Sequence, residues 1–470
     1  MTVSARPRPD SSPPILRAFD RAAGSQAIHG NQVSLLVDGP ATYTAMHAEI
    51  ASATRRIHLE NYIIHDDSAG RGFATQLAAK AREGVRVRVL YDWIGSWGTA
   101  RGFWRELRAA GVDVRTFGPP RLSDPLLIAC RDHRKLLVVD GERGITGGLC
   151  IGDEWVGNAS AGQRPWRDTA IEICGPAARA LDVAFARAWT FADGAAPDDD
   201  IGVASSTAGD HSATVRVVAT EPGRERAART IDLMVALTGD RLWVTEAYLS
   251  MSQRLYQAFI DAARAGVDVR LLLPSTSDLR LVRNLSRVGY RGLLRAGVRI
   301  WEWNGPMLHA KTIVSDGQWV RIGSSNLNAS SLLANWELDV LTDDAQLALA
   351  LEDQYLRDLA ESSEITLRPR RFPAIMGRPV PPRLTRATTE HFPAPHRRSF
   401  RERRKQVFVR VNGLIRGARA ALFGPLAMGL LVGAILFAIF PVPMALGAAA
   451  VCAMAGLALL VRALGYRERG

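Results

Sequence analysis

The chain has 470 residues, 47% hydrophobic and 23% charged, which excludes a wholly disordered or fibrous protein and allows about two to four domains. Its four scattered cysteines (Cys130, Cys150, Cys174 and Cys452) show no zinc-type spacing; they exclude a disulfide framework and fit a reducing compartment. The net charge is +12, but residues 367–420 alone carry +13 and residues 462–470 a further +2, which leaves residues 1–366 at −3, without the basic face that a nucleic-acid binder needs.

In chain order, residues 1–30 open with Pro- and Arg-rich sequence and are expected to form a disordered tail. They hold no apolar run of signal-peptide type. Residues 31–200 and 201–366 then read as two related halves. RIHLENY at 56–62 is answered by RLWVTEAY at 241–248, AREGVRVRVL at 81–90 by ARAGVDVRLL at 263–272, and LRAAGVDVRTF at 107–117 by LLRAGVRIWEW at 293–303. Each half alternates apolar, β-branched strands with helices, which predicts a duplicated α/β fold with a largely buried sheet and one site between the halves.

Residues 367–419 are a Pro- and Arg-rich linker ending in a basic amphipathic juxtamembrane stretch from Ser399. Residues 420–461 contain no charge, enough for two spans of about 20 residues each, broken at Phe440-Pro-Val-Pro-Met444. The expectation is a transmembrane helical hairpin over 420–462, then a basic tail over 463–470. Arg-rich flanks at both ends are expected to place the large region on the cytoplasmic side of the membrane. The alternative is a hydrophobic hairpin buried in a soluble fold.

Two motifs carry chemistry. His133-Arg-Lys135 runs to Asp140-Gly141, and His309-Ala-Lys311 runs to Asp316-Gly317, both of the form HxKxxxxD in equivalent places. Seven residues after each Asp comes a small-residue turn, Gly147-Gly148 or Gly323-Ser324. Residues i and i+2 share a strand face, so each His and Lys point together, while Asp-Gly ends the strand in a turn. The amides of the Gly/Ser turn are expected to approach an anion closely. Facing halves would then gather two imidazoles and two ammonium groups at a phosphodiester site. A lone strand histidine is usually a core residue, but two in register within a repeat are not explained that way. Lys135 and Lys311 are also two of only four lysines, against 55 arginines.

These motifs, with GGLCIGDEW, PWRDT, GSSNLNASSL and NWELD, resemble the phospholipase D superfamily and, within it, bacterial cardiolipin synthases, over roughly residues 30–365. The resemblance implies a duplicated sandwich, two halves of mixed β-sheet flanked by helices around one shared site. It implies a catalytic set of His133, Lys135, Asp140, His309, Lys311 and Asp316, with Gly147, Gly148, Ser324, Asn326, Asp168 and Glu337 binding phosphate or supporting the histidines. One histidine would attack phosphorus to form a phosphohistidine, and the other would serve as acid and then base. By analogy His133 is assigned as nucleophile. The lysines would hold the phosphoryl oxygens. No metal and no cofactor is expected.

Asp168 and Glu337 are read as carboxylates that orient the imidazoles. Asp140 and Asp316 lie on the opposite strand parity and are read as ordering the turn or the partner half. Glu60 and Glu246 either line the site or sit at solvated strand ends. Two departures stand out: Cys150 replaces the usual Asn, and the expected anchor is C-terminal rather than N-terminal. The implied function is transfer of a phosphatidyl group between phosphatidylglycerol molecules in an anionic membrane. Alternatives are hydrolysis to phosphatidic acid, a nucleic-acid phosphodiesterase, and a weakened membrane protein with a binding role. Both motifs lie in one chain, so a dimer is not required.

Overall fold

The computed structural model describes residues 13–120, 130–193, 196–197, 213–278 and 280–367. The first half contributes β1 (Ile28–Val37), β2 (Arg56–Asn61), β3 (Arg86–Asp92), β4 (Asp113–Phe117), β5 (Lys135–Val139), β6 (Arg143–Gly147) and β7 (Thr169–Cys174). The second contributes β8 (Ala213–Thr220), β9 (Arg241–Thr245), β10 (Asp268–Pro274), β11 (Arg299–Trp303), β12 (Thr312–Ser315), β13 (Trp319–Gly323), β14 (Glu337–Thr342) and β15 (Ser362–Ile365).

These strands form one continuous mixed sheet in the order β15-β11-β10-β9-β12-β13-β14-β8-β1-β7-β6-β5-β2-β3-β4. Read outward from β1 and β8, the two arms repeat the same order, with β15 added at one edge. Within each arm β2-β3-β4 or β9-β10-β11 is parallel and the other pairings are antiparallel. The mixed sheets of the two halves are joined by the β1–β8 pairing, Ile28 with Val215 and Asn31 with Ala213. A bulge interrupts it at Gly30, whose φ of 81° suits glycine. The buried Asn31 side chain secures the bulge, donating to Ile28 O (2.8 Å) and accepting from Ala177 N–H (2.8 Å).

The joint is covered by two long helices. Pro176–Asp193 buries Ala177, Leu181, Ala184, Phe185, Ala188 and Trp189 at helical spacing. Its aromatic residues share a core with Leu347, Leu351 and Tyr355 of helix Ala345–Ala360. Full burial of each such aromatic or aliphatic side chain is worth about 1.5–3 kcal/mol. Two further cores fill the opposite faces of the arms.

The expected tail over residues 1–30 is not structureless where it is described. Pro14–Ala23 is a helix with Pro at its first position and Gly24 (φ 65°) at its end. Phe19 packs on Trp319 with centroids 4.4 Å apart, and Asp20 accepts from Arg216 Nε at 2.6 Å, so this N-terminal helix docks on the second half. The linker and hairpin expected over 367–462 lie outside the described residues, apart from Leu367 itself. Among the described residues no helix is long and apolar enough to cross a membrane.

Candidate active site

The HxK segments sit where the halves exchange backbone bonds. His133 lies just before β5 and donates its N–H to Trp336 O (2.9 Å), while Trp336 N–H donates to Arg131 O (2.8 Å). The reciprocal exchange runs from Arg167 N–H to Met307 O (2.9 Å) and from His309 N–H to Arg167 O (2.7 Å). Each motif is therefore held by the other half, close to the carboxylate that follows the other motif.

That placement crosses the partners. His133 Nδ1 lies 3.0 and 3.1 Å from the two carboxylate oxygens of Glu337, and His309 Nδ1 lies 2.7 Å from Asp168 Oδ2. A carboxylate can only accept, so Nδ1 carries the proton on the His133 ring; on His309, where Lys311 Nζ also lies 3.0 Å from Nδ1, the shorter contact to Asp168 assigns the same proton, and Nε2 is left as the basic nitrogen on both. Each carboxylate is held in turn. Ser324 Oγ donates to Glu337 Oε2 (2.5 Å); Trp155 Nε1 (3.0 Å) and Thr169 N–H (2.8 Å) donate to Asp168. Lys135 and Lys311 fold back to donate to the carbonyls of His133 and His309. Tyr62 and Tyr248 stand edge-on to the two imidazoles, with centroids 5.0 and 5.8 Å away.

The electrostatics follow from burial. Desolvation, with Lys311 adding to it and Asp168 opposing, pushes His309 down to about 4. Desolvation also lowers His133, against the pull of Glu337, and both lysines push the same way as burial. Lys311 falls to about 8 through burial and repulsion from Lys135, opposed by Asp168. Burial disfavours ionised Glu337 and Asp168, but the facing imidazoles and lysines outweigh it and hold both carboxyls below the ordinary range. His133 responds to Lys311 and His309 to Lys135, so the four groups share one electrostatic volume.

Two expectations need correction. Asp140 and Asp316, placed in the catalytic set by the resemblance, are not part of this cluster; they order the turn, as their strand parity indicates. Each starts a three-residue loop with positive φ (55° and 53°), which Asp tolerates. The Asp140 carboxylate accepts from Thr54, Arg55 and Arg56 N–H (2.8–2.9 Å). Asp316 accepts from Gly239, Asp240 and Arg241 N–H at the same distances. Both therefore tie the turn to the start of β2 or β9 in their own half, not the partner half.

Second, the amides of Gly148 and Ser324 are not presented to an anion; they donate to Thr169 O and Leu338 O, and Gly147 sits within the β6–β7 ladder. The small residues make room for carboxylates instead. A Cβ at Gly148 would lie 2.1 Å from Asp168 Oδ1, and one at Gly323 2.1 Å from Asp339 Oδ1. Of the two readings open for Glu60 and Glu246, the solvated strand end is excluded, since both are fully buried. Glu246 accepts from Tyr248 and Leu327 N–H (both 3.0 Å), and burial pushes it up to about 7. Glu60 lies 3.7 Å from Arg134, and burial and Asp132 raise it well above the usual range.

Asn326 is buried with Oδ1 unpartnered, while its counterpart Cys150 is buried and its thiol is pushed up by burial, against Lys135. Sequence reasoning missed the residues that lock the halves together. Arg134 donates to Glu337 O, Ala184 O and Thr220 O, and Arg167 makes a forked pair with Asp358 (2.8–3.1 Å). Their only signal was position, since Arg134 lies inside the first motif and Arg167 beside Asp168. Among the described residues, His65, Asp67 and Glu154 bring ligand-type atoms within 4.8 Å of one another. Asp67 is already committed to Gly70 N–H (2.9 Å) and Asp153 N–H (2.7 Å), and Glu154 to His65 (3.4 Å), so this group reads as a helix cap with an ion pair.

A family model described as "Cardiolipin synthase, PLD-like domain" matches residues 46–154 and 234–359. Cardiolipin synthase A of Pseudomonas entomophila is 34% identical over 354 residues, 75% of this chain and 73% of that one. The cardiolipin synthase of Geobacillus kaustophilus is 35% identical over 377 residues, 78% of this chain and 73% of that one. The crystal structure of phosphatidylserine synthase from Haemophilus influenzae superimposes with a TM-score of 0.57 at 12% identity, over 75% of this chain and 92% of that one; it shares the fold.

Proposed function

The chain belongs to the cardiolipin synthase, phospholipase D-like family, and from that premise we propose that it is a phosphatidyltransferase joining two phosphatidylglycerol molecules into cardiolipin with release of glycerol. The observation that carries this reading is the crossed pair of His–carboxylate dyads sharing two buried lysines.

In this reading Nε2 of His133 attacks phosphorus and the bond to the glycerol oxygen breaks. His309 supplies the proton that the departing glycerol takes, then removes one from the hydroxyl of the second lipid, whose oxygen displaces His133. Glu337 stabilises the positive imidazole ring while it carries the phosphatidyl group. The lysines play two parts. In the free protein their charge, with burial, keeps both imidazoles neutral. An anionic phosphodiester between them offsets that charge and raises the proton affinity of His309, so the acid forms when substrate is bound. The uncharged run over 420–461 and its Arg-rich flanks support a membrane anchor with the catalytic region on the cytoplasmic face.

The test uses the full chain in vesicles with phosphatidylglycerol as sole substrate, products read by mass spectrometry, beside His133→Ala. Cardiolipin with equimolar glycerol, absent in the variant, is the expected result. Phosphatidic acid instead would identify a hydrolase, and no product from either protein would overturn the phosphatidylglycerol assignment.

A further inference from the structure

One surface feature beside the site is not used by this chemistry. After β3 the chain makes a tight turn, 93–99, at the end of the sheet that carries His133. Trp97 is 69% exposed and Ile94 39%, and Trp97 stands edge-on to the half-buried Trp93 with centroids 4.4 Å apart. Exposed tryptophan is unfavourable in water and favoured at a membrane interface, where its ring is buried and its N–H stays wet.

The turn is rigidly built. Asp92 Oδ1 accepts from Ile94 N–H (2.8 Å) and Gly95 N–H (3.0 Å), while Oδ2 accepts from Asp132 N–H (2.9 Å), the residue before His133. Ser96 Oγ donates to Tyr62 O (3.2 Å) and accepts from Ile64 N–H (3.1 Å). Gly95 lies so close to Tyr62 that a Cβ there would be 2.1 Å from its carbonyl oxygen. Tyr62 in turn packs on the His133 ring. Trp97 and Ile94 are thus fixed, through Asp92 and Tyr62, to the imidazole that takes the phosphatidyl group.

Among the described residues the corresponding segment of the other half differs. The segment after β10 reads Ser275-Thr276-Ser277-Asp278, and Asp278 accepts from Tyr248 OH at 2.8 Å. Among the described residues the turn after β3 is therefore apolar where the segment directly after β10 is polar. Arg101, exposed at the start of the next helix, follows Trp97 by four residues.

We propose that Trp97 and Ile94 form a bilayer-contacting rim, seating the His133 side of the site on an anionic phospholipid surface so that a donor lipid passes directly from the leaflet to the imidazole. This rests on the lipid-transferase reading above. The occupant is a bilayer because the apolar pair is small, rigid and tipped by an exposed tryptophan, with the cation Arg101 four residues on in sequence, and because it borders a site whose substrate resides in a bilayer.

The experiment compares the full chain with a Trp97→Ser, Ile94→Ser double variant on two substrates: phosphatidylglycerol in vesicles, and dihexanoyl phosphatidylglycerol kept monomeric. Vesicle activity is expected to fall about tenfold or more, the factor associated with losing burial of one apolar side chain, with monomer activity unchanged. In a second arm benzoylphenylalanine replaces Trp97, or as a control Leu349, which is 57% exposed on helix Ala345–Ala360. Irradiation with vesicles should cross-link position 97, and not 349, to lipid. Equal loss on both substrates, no loss on vesicles, or no lipid adduct at 97 would overturn the rim. A wild-type chain inactive on both substrates would instead remove the transferase reading, and the cross-link would still decide the rim.

Discussion

Replacing Glu337 with Gln tests the crossed dyads at their most exposed assumption, that the carboxylate from one half orients and electrostatically supports the histidine of the other. The change is nearly isosteric. One acceptor oxygen becomes an NH2 group that must face either His133 Nδ1–H or the Ser324 hydroxyl, both of which donate to the native carboxylate. Ser324 Oγ already accepts from Leu338 N–H at 2.9 Å, so taking the NH2 on its second lone pair turns its O–H away from residue 337. The substitution therefore removes the Ser324 donation, or sets the NH2 against His133 Nδ1–H and turns the imidazole to the wrong tautomer. It also removes the charge that stabilises the positive ring. Two unit charges about 4 Å apart interact by about 4 kcal/mol at an effective dielectric of about 20. Part of that survives as a neutral hydrogen bond, so a loss of about 1.4–2.7 kcal/mol is expected, about 10–100-fold in kcat. KM should stay within about twofold, since Glu337 lies behind the ring rather than against substrate. Glu337 raises the proton affinity of His133, so the His133 limb of the pH–rate profile should move to lower pH. The assay is steady-state transfer across pH on vesicles, with folding checked by circular dichroism. Wild-type kcat at neutral pH, or a loss matched by the unfolded fraction, would refute the reasoning.

Asp140→Ala should cost stability rather than catalysis. Three backbone N–H donors and the Thr54 hydroxyl lose their acceptor, and at about 0.5–1.5 kcal/mol per bond the denaturation midpoint should fall by an amount equivalent to about 2–6 kcal/mol, while the folded fraction keeps its kcat. Gly148→Ala should lower activity at least about tenfold with a smaller effect on melting, because the new Cβ displaces Asp168 from beneath His309; transfer rate and thermal melting decide it. His309 and Glu246 tilt the pH dependence of stability in opposite directions. His309 sits at about 4 against an ordinary 6.5, so the unfolded chain binds more protons and stability rises from pH 4 to 6.5. Glu246 sits at about 7 against 4.5, so the folded chain holds the extra proton and stability falls from pH 4.5 to 7. Glu246→Gln removes only the second effect, and its denaturant midpoint should therefore climb more steeply between pH 5 and 6.5 than that of the wild type.

The primary sequence determined what is local or repeated. Strand β5 is wholly buried, and its Leu-Leu-Val-Val run ends at Asp140-Gly141 because those two residues accept positive φ. The duplicated HxK motif and the carboxylates Asp168 and Glu337 were legible for the same reason, since short-range spacing and repetition carry them. The pairing was not. Glu337 meets His133 across 204 residues and Asp168 meets His309 across 141, and nothing in either neighbourhood says that the partners cross between halves. The small residues were misread because their neighbours belong to other strands. Gly148 looks like an anion-binding turn in one dimension and is a space for Asp168 in three. The helix at Pro14–Ala23 was lost to its Pro-rich surroundings, although Phe19 needed only Trp319 of the second half to hold it. Side-chain direction along one strand follows from backbone stereochemistry, which the chain carries in every residue. Which face meets which depends on the β1–β8 joint and on buried contacts such as Arg134 with Thr220 O and Arg167 with Asp358, contacts that exist only once the halves have closed on each other.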